Sequence, residues 1–344
     1  LRADRAEAVA KAVAEATAVY DLQFAEPAED EIPPSVMENM AFAAPYEAVT
    51  EMYSRPKIGS LDPSFMMAPW HFIFFGMMLS DAGYGLVLTI LLFIVLKVLK
   101  PEGGAGKLVT VIFLGSISTI FWGAMFGGWF GLEFNPILLS PMNEPLKMLA
   151  LCFGLGAAHI ILGVCMKMYL EIKRGQIWNA IFDQLSWLVI FAGLGLIGFM
   201  PDTQVGKYLA LSGMTVIILT GGRDKKNILR RLLGGVLSLY NFSGYFSDLL
   251  SYSRLFALGL STGVIAMVIN TIAHMLWQAG PFGIVIAIVF LLLGHTFNIA
   301  VNIMGAFVHT SRLQYIEFFG KFFEPGGRAF KPLAIRTKYV NVSK

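Results

Sequence analysis

The chain of 344 residues is 56% hydrophobic and only 14% charged, with 28 Phe and 17 Met, whereas soluble domains carry about 25% charged residues. That composition excludes an ordinary soluble domain and indicates a membrane protein. A formal charge of +3, with no RRM, zinc-finger or helix-turn-helix signature, gives no reason to expect a nucleic-acid partner.

Residues 1–24 place Val9, Val13 and Tyr20 near one stripe of an alanine-rich helix. Such a stripe suits packing on a partner helix, with a solvated helix as the alternative. The acidic, proline-bearing EPAEDEIPPS after it has the composition of a linker. No charged n-region precedes an apolar h-region, as a signal peptide would require, so the expectation is the membrane half of something longer.

Eight apolar segments come next, near 65–80, 83–99, 108–130, 147–170, 183–200, 207–221, 235–279 and 282–320. A spanning helix takes about 20 residues. The first two and the sixth are short and the last two are far too long, which predicts short or re-entrant helices early and two long, steeply tilted helices at the end. The predicted fold is therefore all-α and polytopic, with about eight transmembrane helices. It divides into a cytoplasmic N-terminal remnant and linker (1–64), a membrane domain (65–325) and a C-terminal tail (326–344).

Alternate loops differ in basic residues. One side collects Lys97, Lys100 and Lys107, then Lys167, Lys173 and Arg174, then Arg223, Lys225, Lys226, Arg230 and Arg231, and finally the tail from Lys321 to Lys344. The other side has only Lys147 and Lys207. By the positive-inside rule both termini are cytoplasmic.

Cys152 and Cys165 lie roughly 20 Å apart along one predicted helix, too far to bridge each other, and read as packing residues. No Cys/His spacing suggests a metal. No G-x-x-x-x-G-K-[ST] is present for ATP hydrolysis, so no catalytic site and no cofactor are expected in this chain.

Two arginines carry the functional signal. Arg254 in LLSYSRLFALGLS lies about 17 and 25 residues from the ends of the seventh segment, beyond snorkelling reach. A mid-membrane arginine costs about 2.5 to 3.5 kcal/mol or more and requires an anion, water or a function. On a straight helix Ser243, Ser247, Ser251, Arg254 and Ser261 share an arc of about 80°. On the eighth segment His295, Asn298, Asn302, Gly305, His309 and Arg312 share about 100°. Small and hydroxyl residues alone fit simple helix packing, but the arginines do not. Folding back at Gly280-Pro281 puts Arg254 and Arg312 about 7.5 Å apart along the axis. The acids on these two helices are Asp248 and Glu317, the latter near the cytoplasmic end. One nearby carboxylate cannot neutralise two arginines, so a partner anion is expected from another helix or chain.

Asp81, Glu133 and His159 have plain readings as a helix N-cap, an interfacial acid and a core imidazole. Together they suggest a hydrated path on the outer side, since ionisable side chains within a membrane line ion routes or relays. His274 reads as structural, and Asp183 as an inner-mouth residue or a helix cap.

The stretches FFGMMLSDAGYG, LLSYSRLFALGLS and GAFVHTSRLQYIEFFGKFFEPGGRAFKPL occur in order, and over roughly residues 36–340 the sequence resembles the membrane half of the stator subunit, called a or I, of vacuolar/archaeal-type rotary ATPases. The resemblance implies two long tilted helices embracing a proteolipid ring, with Arg254 and Arg312 facing the ring carboxylates. It further implies that Asp81, Glu133, His159, Asp248, Asn302 and His309, with Ser247 and Ser251, line two half-channels for H⁺ or Na⁺. Asn302 stands where a glutamate is expected in eukaryotic members, and Asp248 where a histidine is. Implied partners are the ring, peripheral-stalk subunits, a central-stalk or ring-cap subunit and the lipid bilayer, in a prokaryotic plasma membrane. Two rival readings compete with it. A stand-alone ion-coupled transporter commonly shows inverted repeats, which are not seen here, and a purely structural anchor leaves the arginines unexplained.

Overall fold

A computed structural model of the protein describes residues 5–25, 31, 33–200, 204–223 and 228–330. Lys225, Lys226 and the stretch 331–344 of the predicted C-terminal tail lie outside the described residues. The chain divides into two compact units, Leu1–Glu38 with Ser54–Ser60 and Glu324–Lys344, and Asn39–Tyr53 with Leu61–Phe323.

In the first unit, helix α1 (Ala6–Ala16) stops at Thr17, whose backbone is extended at φ −149°. The sequence predicted a helix through residue 24, and the β-branched Thr17 and Val19 beyond Ala16 disfavour its continuation. Tyr20 therefore lies beyond the helix that carries Val9 and Val13. Elsewhere in this unit β1 (Pro34–Ser35) pairs in parallel with β4 (Arg328–Ala329), and the Arg55 guanidinium donates to the Ser35 carbonyl at 3.0 Å.

The second unit is helical. Its first helix is α2 (Glu47–Tyr53). Buried Glu47 pairs with Lys107 at 2.6 Å, and burial pushes the Tyr46 phenol above its ordinary value. Then come α3 (Ser64–Leu79), α4 (Ala82–Val98), α5 (Gly103–Phe126) and α6 (Pro145–Lys173). After α7 (Ile177–Asn179) a π-turn over Ala180–Leu185 leads into α8 (Ser186–Phe199), and then α9 (Val205–Thr220). The chain ends its helical course with α10 (Ile228–Leu239), α11 (Asn241–Ser251), α12 (Ser253–Trp277), α13 (Pro281–Arg312), a second π-turn over Leu313–Phe318, and α14 (Phe319–Phe322). Among the described residues five helical stretches are long and apolar enough to cross a membrane, the last two being Leu233–Trp277 and Pro281–Phe322. Three shorter apolar helices, Ser64–Leu79, Ala82–Val98 and Val205–Thr220, fall where short segments were predicted.

Helix α3 is the centre of the body, packed against α5, α12 and α13. Its Phe74, Phe75, Met77, Met78 and Leu79 form one core with Met148, Cys152 and Ile160 of α6, Leu255 of α12 and Ala306 of α13. The chain reverses from α3 into α4 through Ser80, which takes a left-handed conformation at φ 40°. Gly123 of α5 lies against that reversal, and a Cβ there would sit 2.1 Å from the Ala82 nitrogen.

The long seventh segment is not one straight helix. Tyr240 and Tyr252 interrupt it, and at Tyr252 the backbone tightens to i→i+3 bonds, Tyr252 N to Leu249 O and Leu255 N to Tyr252 O. The tightened turn falls inside the arc predicted for Ser243, Ser247, Ser251, Arg254 and Ser261, and across it Arg254 still reaches Ser251. Arg254 stands at the second residue of α12, within the 45-residue helical stretch Leu233–Trp277.

Replacing Gly123 with Leu should lower the thermal unfolding temperature in detergent, by the equivalent of about 1 to 3 kcal/mol for overpacking against a backbone that cannot yield. Gly154→Ala, where nothing lies within 4 Å of the added carbon, should not lower it. Scanning fluorimetry of the two variants checks the contrast.

Candidate functional site

Helices α12 and α13 fold back on each other at Gly280-Pro281, as the sequence indicated. The register is visible in contacts between them: His295 Nε2 lies 3.1 Å from Asn270 Oδ1, Asn298 Nδ2 donates to Thr262 O at 3.3 Å, and Gly294 and Gly305 face Ile269 and Leu258. Continued by the same spacing, this register puts His309 opposite Arg254 and Arg312 a little under one turn beyond it. The charges of Arg254 and Arg312 act on each other, and both act on His309.

The two arginines differ in surroundings. Arg312 is exposed and makes no hydrogen bond or ion pair among the described residues. Arg254 is half-buried, its side chain 24% exposed. One guanidinium nitrogen donates to Ser251 Oγ at 3.4 Å, and the other lies 3.8 Å from Glu317 Oε1. That second nitrogen, Nη1, makes no hydrogen bond, nor does Glu317 Oε2. The anion near Arg254 thus belongs to its own chain but is held at arm's length, and Arg312 has none.

Polar groups surround this pair. Asp248 on α11 pairs with Lys321 on α14, whose ammonium sits 4.2 Å from the Tyr245 ring centroid. Buried His159 on α6 bonds through Nδ1 to Tyr252 OH at 2.8 Å and stacks on Phe318 at 4.4 Å. Ser251 donates to Ser247 O at 3.2 Å, and Ser247 itself is exposed. A polar cavity of about 630 Å³ opens beside Lys321, Lys167, Glu171, Asp183 and Tyr245. Asp183 lies in the first π-turn and pairs with Arg223 at 2.7 Å.

Nearer the Gly280-Pro281 turn runs a hydrogen-bonded chain that the sequence showed only in part. Asn302 donates to Asn298 Oδ1 at 2.6 Å, Asn298 donates to Tyr84 OH at 3.0 Å, and Tyr84 OH meets His295 Nδ1 at 2.6 Å. Asn270 Oδ1 can only accept, so His295 carries its proton on Nε2 and, as a neutral ring, accepts the Tyr84 proton at Nδ1. His295 then donates from Nε2 to Asn270 Oδ1, and Asn270 donates to Phe130 O at 2.7 Å. Asn270 also borders an open cavity of about 560 Å³ with His274 and Trp277. Tyr84 and Asn270 carried no periodic signal in the sequence, although Tyr84 lies on the first turn of the helix that Asp81 caps.

Asp81 is 98% buried and its carboxylate accepts three backbone N–H bonds. One comes from Tyr84 at 3.0 Å, making it the N-cap of α4, and two from Phe130 at 2.9 Å and Gly131 at 3.0 Å. It thereby clasps the β2–β3 ribbon (Gly128–Trp129, Leu132–Glu133). Exposed Glu133 on that ribbon accepts from Ser140 and Asn143. The structure brings Arg254, Ser251, His309 and Glu317 into one neighbourhood, with Asp248 and His159 beside it. Asp81 and Glu133 sit apart, at the β2–β3 ribbon, so His159, grouped with them from the sequence, lies instead beside Tyr252. Among the described residues no group of three or more His, Cys, Asp or Glu could hold a metal.

Residues 243–335, which carry both arginines and the turn between their helices, match the V-type ATPase 116kDa subunit family. The chain belongs to that family. It is 32% identical to the A-type ATP synthase subunit I of Methanocaldococcus jannaschii over 98% of this chain and 54% of that relative. Against the A-type subunit I of Pyrococcus horikoshii the identity is 34%, over 92% of this chain and 50% of the relative. Against the V-type ATP synthase subunit I of Borreliella burgdorferi it is 30%, over 87% and 53%. The chain spans about half the length of the curated relatives it matches. With its long apolar helices, this member of the V-type ATPase 116kDa subunit family is an integral membrane protein.

Asp81→Ala should destabilise the protein by on the order of 2 to 4 kcal/mol, through loss of the cap and of two charge-assisted bonds to the ribbon. Asp81→Asn, which keeps one acceptor oxygen, should lose less. Thermal unfolding together with protease cleavage within 128–133 reads both effects.

Proposed function

We propose that this chain is the membrane part of the stator in a rotary V/A-type ATPase, and that Arg254 and Arg312 face the carboxylates of a proteolipid ring. The observation that carries the reading is the arginine pair itself: two guanidinium groups at the cleft of α12 and α13, one half-buried with a single loosely held counter-ion, the other open and unpaired among the described residues. A permanent cation so placed is tolerated where anions come to it.

The physics supplies the coupling. A ring carboxylate crosses lipid only when neutral, because burying a bare charge there costs too much. A guanidinium at about 4 Å attracts it by about 4 kcal/mol at an effective dielectric of 20, equal to roughly three pKa units. The carboxylate therefore gives up its H⁺ or Na⁺ on approach and cannot pass while loaded. With one water path from each side, the ring must travel the long way round through lipid between loading and release, so ion flow becomes rotation. Arginine suits the task because it stays charged at any reachable pH and can engage both carboxylate oxygens.

In this reading the inner path runs past His309, Ser251, Ser247, Asp248 and His159 beside the larger polar cavity. The outer path reaches Asn302 from the cavity at Asn270, with Glu133 at its rim and Asp81 holding the ribbon that borders it. The basic residues gathered in alternate loops support cytoplasmic termini, in what this reading takes to be a prokaryotic plasma membrane. Peripheral-stalk and central-stalk subunits complete the complex, and catalysis of ATP hydrolysis or synthesis resides in other chains.

Arg254→Lys should abolish ATP-driven ion uptake in vesicles carrying the reconstituted complex while leaving the ring bound to this chain. Uptake at the full rate in that variant would refute the assignment. Purification of the intact complex should recover a multi-copy, very apolar protein with this chain, whereas a stand-alone transporter would move ions in liposomes without one.

A further inference from the structure

Glu317 has a place in the site that the stator reading does not require. It is 99% buried in the π-turn directly after α13. A π-turn amounts to one inserted residue and rotates the downstream chain by about 100° relative to an uninterrupted α-helix. Arg312 ends the regular helix and faces outward. Five residues later, past the insertion, Glu317 comes within 3.8 Å of Arg254. The contact is too long to be a hydrogen bond, and it leaves Arg254 Nη1 and Glu317 Oε2 without hydrogen-bond partners. Buried ion pairs that hold a structure together satisfy their remaining donors and acceptors; this one does not.

The groups around the pair bias it without closing it. Arg312 and His309 face Arg254 from α13. Asp248 and Tyr252 face Glu317 from α11 and the joint before α12. Asp248 is answered by Lys321 and the Tyr252 hydroxyl by His159, so neither competes for Arg254.

We propose that Glu317 is an exchangeable counter-ion for Arg254. It holds the guanidinium in position while no ring carboxylate is present and limits the grip of Arg254 on each carboxylate that arrives. This rests on the stator reading above. A half-buried arginine with no other anion would bind an ionised ring carboxylate bidentately and hold it. With Glu317 beside it, the incoming carboxylate replaces one loose ion pair by another, and departure restores the first, so the two states lie close in free energy. When the ring acid pairs with Arg254 its proton passes to water in the adjoining path, and a proton from water on the other path restores the acid after it leaves. Glu317 carries no proton between the two paths in this exchange and acts as a positioning residue.

The test is the pH profile of ATP-driven uptake by the whole reconstituted complex. Without Glu317, Arg254 holds the ring carboxylate more tightly and depresses its pKa further, so reloading requires more acid. Glu317→Gln should assemble with the ring, turn over several-fold more slowly, and move its optimum toward acid by about one pH unit, a tenfold change in proton concentration. For a sodium-carrying ring the half-saturating Na⁺ concentration should instead rise about tenfold. Glu317→Asp keeps the charge with a shorter reach and should shift in the same direction by less. Where Glu317→Gln does not assemble, the Asp variant carries the test. A profile with unchanged position, at full rate or uniformly reduced, overturns the proposal while leaving the stator reading intact. Full uptake by Arg254→Lys would instead sink the stator reading.

Discussion

The arrangement depends on one constraint: a guanidinium that cannot lose its charge stands half-buried at the joint between α11 and α12. Its desolvation must be answered by an anion, and among the described residues the chain offers only Glu317, 3.8 Å away. Much of the surrounding structure is organised around that joint. Tyr252 breaks the helix before Arg254 and is fixed by His159, Ser251 takes one guanidinium nitrogen, and the π-turn brings Glu317 round to the other. Asp248, the other acid of these helices, is withdrawn from the arginine by Lys321.

The region nearer the Gly280-Pro281 turn solves a different problem. Asparagines, a tyrosine and a histidine are all paired in one directed chain from Asn302 to the Phe130 carbonyl, so none of these five side chains leaves a buried donor or acceptor unmet. Asp81 anchors the ribbon at the end of that chain with three backbone bonds. This chain is well satisfied, while the arginine site keeps open valences at Arg254, Glu317 and His309. Such contrast separates a scaffold from a place where partners change, since a stable core has no use for unmet donors.

Much of this was legible in the sequence because the signals were local or periodic. The apolar segments gave the helices to within a few residues, Gly280-Pro281 gave the fold-back, Asp81 before Ala-Gly-Tyr-Gly gave the N-cap, and the separation of Cys152 from Cys165 excluded a bridge between them; both are free thiols. Departures from regular geometry escaped. Counting at 100° per residue treats residues 235–279 as one cylinder, but the tightened turn at Tyr252 interrupts it just before Arg254. The same count cannot foresee the insertion at Leu313–Phe318, so Glu317 read as a distant acid near a helix end rather than as the neighbour of Arg254. The Asp248–Lys321 pair, with its partners 73 residues apart in the chain, left no periodic trace.

The most direct measurement is a density map of the assembled membrane complex, at a resolution that shows side chains, centred on residue 254. The account predicts a carboxylate from a neighbouring rotor chain within about 4 Å of Arg254 or Arg312 in at least one rotational state. A map in which both arginines face lipid, or in which Arg254 contacts only Glu317 with no rotor alongside in any state, would contradict it.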